Sequence, residues 1–238
     1  MHAVNGTTSI ELVEGTIGGD TQHDHRSRIK HSILQAEKYS HRNQEKHRAE
    51  MALIDRAMSF VRRVDRSAEP LSILDAPCGV GRATIFLAQQ GYATTGVDLG
   101  AGAIKVAREQ VALKSVKATM DKADLLALPY SNRCFDLTLC FRFIHHLPTP
   151  THRQEIIAEL CRVTHQYLLI SYLSPWSVTS IKRRIRQYFT SKTSVQHCNS
   201  IAELESYFAT QGFVLAKDFA QTPLVHSLRL AVFVRKAE

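Results

Sequence analysis

Ile73-Leu74-Asp75-Ala76-Pro77-Cys78-Gly79-Val80-Gly81-Arg82 is the stretch on which the architecture turns: an apolar strand ends at an acid, and a turn with two glycines then opens a helix. Glycine is required where the backbone takes positive φ or lets a ligand approach closely, and the helix starting near Arg82 presents unpaired N–H groups to electron-rich atoms. The turn is therefore one that grips a nucleotide-like ligand. The third glycine of G-x-G-x-x-G is absent, because Thr84 stands in its place, so the dinucleotide fingerprint is incomplete. The acid is the more discriminating residue. A carboxylate at Asp75 repels a pyrophosphate and suits a ligand with a cationic amino-acid end.

Three more segments follow in order. Thr95-Gly96-Val97-Asp98-Leu99 is an apolar strand ending in an acid, the place from which a carboxylate accepts hydrogen bonds from ribose hydroxyls. Ala123-Asp124-Leu125-Leu126-Ala127-Leu128-Pro129-Tyr130 precedes a strand at Phe135-Asp136-Leu137-Thr138-Leu139-Cys140, and Phe143-Ile144-His145-His146-Leu147 leads to Glu159-Leu160-Cys161-Arg162-Val163. Together these segments resemble class I S-adenosylmethionine-dependent methyltransferases over roughly residues 71 to 172. The resemblance implies a Rossmann-like sheet, S-adenosylmethionine as cofactor with S-adenosylhomocysteine as product, and a cofactor site formed by Asp75, Ala76, Cys78, Gly79, Gly81, Asp98, Leu99, Ala123, Asp124, Leu125 and Phe141. It also puts the acceptor beyond the fourth strand, where Arg142, His145 and His146 are the candidate catalytic residues. Either imidazole suits a general base, and Arg142 suits an acidic substrate. Cys78 reads as a small side chain that fits the turn, not as a nucleophile. Two departures stand out: Pro77 replaces the family's usual glycine and removes an N–H, and the common Lys-Pro-Gly-Gly turn after Val163 is missing, the chain running straight through Thr164-His165-Gln166 into Tyr167-Leu168-Leu169-Ile170.

The wider pattern predicts an α/β fold: a doubly wound seven-stranded sheet, mostly parallel with an antiparallel last strand, plus N-terminal helices and a helical lid insertion. Strands are expected near 71–75, 93–98, 116–120, 135–141, 166–172, 213–219 and 228–235, with helices near 81–90, 101–114, 151–163, 176–190 and 200–211. The last two strands are joined without a helix, which reverses the final one. The expected organisation is a tail over 1–22, a helical cap over 23–66, and a methyltransferase domain over 67–238 with a basic amphipathic insertion at 174–192. In the cap, Ile29, Ile33 and Leu34, then Met51, Ile54, Met58 and Val61, recur at helical spacing, and Tyr39, Arg42 or Arg48 can close the cofactor cleft. In the insertion, Trp176, Val178, Ile181, Ile185, Tyr188 and Phe189 share a face, while Lys182, Arg183, Arg184, Arg186 and Lys192 take the rest. Such a helix lies on an anionic bilayer, clamps phosphates, or simply covers its own domain with its cations in water.

With 238 residues, 44% of them hydrophobic, the chain can bury one sizeable core. Its formal net charge of +8 favours anionic partners. The five cysteines are scattered without a C-x-x-C pair and read as reduced thiols of a cytosolic protein. His23-Asp24-His25 could bind a metal or form part of a solvated polar tail, but no spaced Cys or His set supports a structural zinc site, and no metal is expected. Met1 to Asp20 lacks the basic start and apolar run of a signal peptide, and no apolar stretch approaches 20 residues. The expectation is a cytoplasmic enzyme, peripheral at the inner membrane face if the insertion binds lipid, acting by O-methylation on a small or lipid-linked anionic substrate. The alternatives are an RNA or other nucleic-acid methyltransferase, favoured by charge but lacking a base-flipping motif, a non-catalytic S-adenosylmethionine-binding protein, and an NAD-linked oxidoreductase on the same sheet.

Overall fold

The computed structural model describes residues 44–65, 69–182, 197–222 and 225–237. The expected tail, the first half of the helical cap with Tyr39 and Arg42, and the basic run from Arg183 to Lys192 lie outside them.

Seven strands, β1 (Ser72–Asp75), β2 (Ala93–Asp98), β3 (Ala118–Lys122), β4 (Phe135–Cys140), β5 (Thr164–Leu173), β6 (Phe213–Ala220) and β7 (Leu228–Arg235), form one sheet in the order β3-β2-β1-β4-β5-β7-β6. β1 to β5 pair in parallel, and β7 runs antiparallel to both β5 and β6. The order reverses between β1 and β4, so a ligand crevice opens there, outside the carboxyl ends of the strands.

Among the described residues five α-helices cover the sheet: α1 (Gln44–Val64), α2 (Arg82–Gln89), α3 (Ala101–Leu113), α4 (Pro150–Val163) and α5 (Ile201–Ala209). Covering both faces explains why the central strands read as continuous apolar runs, with Tyr167 to Leu173 buried throughout. One face packs Ile73, Leu137, Leu139, Leu169, Leu230 and Val232 against Leu53, Ile54, Met58 and Val61 of α1 and Ala83 and Leu87 of α2. The other packs Leu74, Val97, Cys140, Leu168 and Phe233 against Ile156, Ile157 and Leu160 of α4 and Leu204 and Phe208 of α5.

Two boundaries differ from expectation for identifiable reasons. β3 starts at Ala118 because α3 ends in a Schellman turn: Ser115 is left-handed at φ 52°, Ser115 N donates to Ala112 O, and Val116 N donates to Val111 O. β5 begins at Thr164, directly after α4. Thr164 is extended, and its hydroxyl lies 2.6 Å from both Leu160 O and Thr138 Oγ1. A shift of register between Phe135 and Leu137 absorbs the extra residue of β5. The carbonyls that a glycine turn would serve are met from afar: Arg235 donates to Cys161 O, Thr164 O and His165 O, and Arg133 N donates to Arg162 O. Of the expected insertion helix, a helical turn at 178–182 is described.

Candidate cofactor and acceptor site

Asp75, the last residue of β1, is paired in register with Gly96 of β2, so Asp75, Gly96 and Asp98 share the sheet face that carries α2. The turn after Asp75 folds back over β2: Cys78 N donates to Val97 O at 2.7 Å and Gly79 N to Asp98 Oδ2 at 3.0 Å. The two glycines serve different ends. Gly79, at φ +57°, points the place of a Cβ into open space, which leaves that side of the backbone to a ligand. Gly81, at φ +77°, caps α2, and a Cβ there would come within 2.9 Å of Met120 Cε and 3.2 Å of Ala107 Cβ. Pro77 follows a cis peptide bond from Ala76. The Cys78 side chain packs on Ile104, Ala107 and Met120 beneath the loop.

Asp98 is half-buried and holds the loops on either side of it. Its Oδ1 accepts from Gly100 N at 2.8 Å and its Oδ2 from Gly79 N, orienting the carboxylate at the tip of β2. Beside it, Ala123 N donates to Asp98 O at 3.2 Å, which draws the third acidic segment to the second. Asp124 turns its own backbone, Oδ1 accepting from Leu126 N at 3.1 Å. That loop is braced from α4: Glu159 Oε1 accepts from Leu128 N, while Arg162 donates to Leu128 O, Tyr130 O and Asn132 Oδ1 and pairs with Glu159 at 2.8 Å. The guanidinium holds Glu159 below the usual carboxylate range. Leu99 is half-buried, whereas Ala76, Ala123 and Leu125 are buried. Phe141 packs against the α1 face of the core.

Asp75 sits deeper than the other two acids. It is 1% exposed, and Thr84 Oγ1 donates to its Oδ2 at 2.6 Å, tying the start of α2 to the end of β1. Burial raises its pKa from 3.8 to about 7, with the Thr84 bond pulling the other way. Thr84, which reads in the sequence only as a missing glycine, is thus the partner of the acid. Gly96 makes room for it, since a Cβ at 96 would lie 2.8 Å from Thr84 Oγ1.

Beyond β4 the chain turns at Arg142, left-handed at φ 58°, its N donating to Ser171 Oγ at 2.5 Å. Arg142 Nη1 lies 2.9 Å from Oε1 of Glu50, whose other oxygen is 3.4 Å from Arg82 Nη1. Glu50 is fully buried. His145 is buried too, its ring 4.3 Å from that of half-buried His146 and its carbonyl accepting from His197 N. Of the two imidazoles, His146 is the one with exposed surface. Arg48, on α1, is exposed. Glu50 escapes the sequence reading although it falls on the helix face of Ile54, Ala57 and Val61; its spacing was the available signal.

This geometry places Asp75, Asp98 and Asp124 at the neighbouring carboxyl ends of β1, β2 and just past β3, around an open-faced glycine turn. Residues 73–166 match the family model described as a methyltransferase domain. Over that stretch the chain is similar to methyltransferase domains, and its sheet has the Rossmann-like class I methyltransferase fold. It is 30% identical over 133 residues to ajmaline N-methyltransferase of Rauvolfia serpentina, covering 54% of this chain and 45% of that protein. It is 31% identical over 91 residues to the ubiquinone biosynthesis O-methyltransferase of Nitrosospira multiformis, 38% of each. Against chloroplastic magnesium protoporphyrin IX methyltransferase of Arabidopsis thaliana the identity is 23% over 168 residues, 70% of this chain and 54% of that one. The matches thus span about half or less of these curated relatives. The magnesium protoporphyrin IX methyltransferase of Synechocystis, solved with bound SAH, superposes with a TM-score of 0.68 at 18% identity, covering 79% of this chain and 84% of that one, which shows the shared fold.

Proposed function

We propose that this chain is an S-adenosylmethionine-dependent methyltransferase acting at oxygen on a small or lipid-linked anionic acceptor. The observation that carries the cofactor reading is the gathering of Asp75, Asp98 and Asp124 around a turn whose Gly79 faces open space. The residues fit an adenosyl amino acid. Asp98 is oriented by two backbone N–H groups toward ribose hydroxyls, Leu99 and Leu125 offer apolar walls to a purine, and Asp124 supplies an acceptor for its amino group. Gly79 admits the amino-acid end against bare backbone. Asp75 sets the local charge from beneath rather than from the surface.

Bound S-adenosylmethionine supplies an electrophilic methyl on sulfur, so the chain's own work is alignment and the handling of one proton. In this reading His146, half-buried in the short helical turn past β4 and with the His145 ring beside it, takes that proton from an acceptor hydroxyl. Arg142 serves the acceptor side as part of an ion pair. The net charge of +8 supports an anionic acceptor. The curated relatives include both O- and N-methyltransferases. Trp176 is 79% exposed, Ile181 48% and Val225 52%, and Lys182 with the cations that follow it in sequence adds positive charge, which supports peripheral contact with an anionic membrane on the cytoplasmic side. Among the described residues no helix is long and apolar enough to cross a membrane.

Calorimetry with S-adenosylmethionine, S-adenosylhomocysteine and NAD tests the cofactor. The two sulfur ligands are expected to bind and NAD is not; tight NAD binding with no response to either sulfur ligand overturns the reading. A panel of small phenols and carboxylates with methyl-labelled cofactor then tests the acceptor, and label appearing only in RNA assigns the alternative class.

A further inference from the structure

Glu50 lies 0% exposed, with Arg142 Nη1 2.9 Å from one oxygen and Arg82 Nη1 3.4 Å from the other. A carboxylate is removed from water at this depth only against cations. The two cations stand in separate parts of the site. Arg82 opens α2 directly after the cofactor turn, and Arg142 lies two residues beyond the end of β4. β1 and β4 are the strands between which the sheet order reverses, so the two arginines flank the crevice and Glu50, from α1, spans it. Arg142 is moreover held in a left-handed conformation, unfavourable for a side-chain-bearing residue, by Ser171 at its backbone and Glu50 at its guanidinium.

We propose that Glu50 is a positioning residue that latches α1 across the crevice, joining the cofactor turn through Arg82 to the acceptor side through Arg142, so that ligand in the crevice and the docking of α1 stabilise one another. The proposal rests on the methyltransferase reading only in taking S-adenosylhomocysteine as the crevice ligand. Removing the charge leaves both guanidiniums without their shared carboxylate and uncouples the turn from the helix.

The test uses the full chain, S-adenosylhomocysteine calorimetry, and amide hydrogen exchange of residues 47–58. In the wild type, S-adenosylhomocysteine should bind and slow exchange in α1. E50Q should bind about tenfold more weakly and lose the ligand-dependent protection of α1, and E50Q/R142Q should be no weaker than the weaker single variant, as for groups acting as a unit. Unchanged affinity with protection intact in E50Q, or additive losses in the double variant, overturns the latch. Should E50Q not fold, R82Q and R142Q each remove one of these two ion pairs and carry the same readout: retained protection of α1 in both overturns it. A wild type that does not bind S-adenosylhomocysteine instead refutes the cofactor reading, a separate result.

Discussion

Asp75 gives the most quantitative handle on the site. Its carboxyl is buried beneath the cofactor turn with a pKa raised from 3.8 to about 7 by desolvation, the Thr84 hydroxyl at 2.6 Å offsetting part of the rise. Between those two values the folded chain holds a proton that the unfolded chain releases, so stability is highest at the acid end of the window and falls as pH rises through it. A shift from 3.8 to about 7 corresponds to about 4 kcal/mol lost once the pH passes the folded value. That is a large fraction of the roughly 5–15 kcal/mol that holds a domain folded. D75N keeps an oxygen to accept from Thr84 but has no proton to lose. Urea unfolding of both proteins from pH 4.5 to 8 isolates the contribution of this one group, because every other titration is shared. The variant should gain on the wild type as pH rises, by about 3 kcal/mol at pH 8 relative to pH 4.5, the first part of the loss having occurred below pH 4.5. Binding of S-adenosylhomocysteine, whose ammonium favours the ionised acid, should release protons near pH 6.5 in the wild type and none in D75N, read from calorimetry in buffers of different ionisation enthalpy. A stability difference that stays constant across the range refutes both the burial argument and the charge assigned to the turn.

Other consequences follow from the same geometry. Asp98→Ala removes the ribose acceptor and also the acceptor of Gly79 N and Gly100 N, so S-adenosylhomocysteine binding should vanish and unfolding should come about 1–3 kcal/mol sooner; near-normal affinity removes Asp98 from the ribose role. Arg235→Ala strips the α4 end of a guanidinium serving three carbonyls and covering the Phe213 ring at 4.4 Å, with an expected cost of about 2–3 kcal/mol in denaturant and no change in cofactor affinity. Replacing Lys182, Arg183 and Arg184 together with Gln should weaken flotation on phosphatidylserine vesicles about a hundredfold at low salt, and unchanged flotation assigns those cations to solvent.

The parts of this molecule that were legible in the sequence are those encoded by local chemistry. Strands buried on both faces read as apolar runs, and acids at Asp75 and Asp98 mark strand ends because a charge closes an apolar run. The glycine turn is legible because positive φ and close approach restrict residue choice at 79 and 81. The antiparallel β7 is legible because the link from β6 has no room for a crossover helix. What stayed hidden depends on partners far along the chain. Glu50 sits amid charged residues and reads as solvated, yet its cations are 32 and 92 positions away. Arg235 reads as the last residue of an expected strand, yet it closes α4 from 71 residues beyond Thr164. The missing Lys-Pro-Gly-Gly turn and the buried Glu50 are thus instances of one physical substitution. Where local turn chemistry is absent, a distant guanidinium or carboxylate supplies the hydrogen bonds, and an ion pair of that kind leaves no period and no motif. A charged residue falling on the apolar face of a helix, as Glu50 does beside Ile54 and Val61, is the one local trace it leaves, because burial of an unpaired charge is too costly to occur by chance.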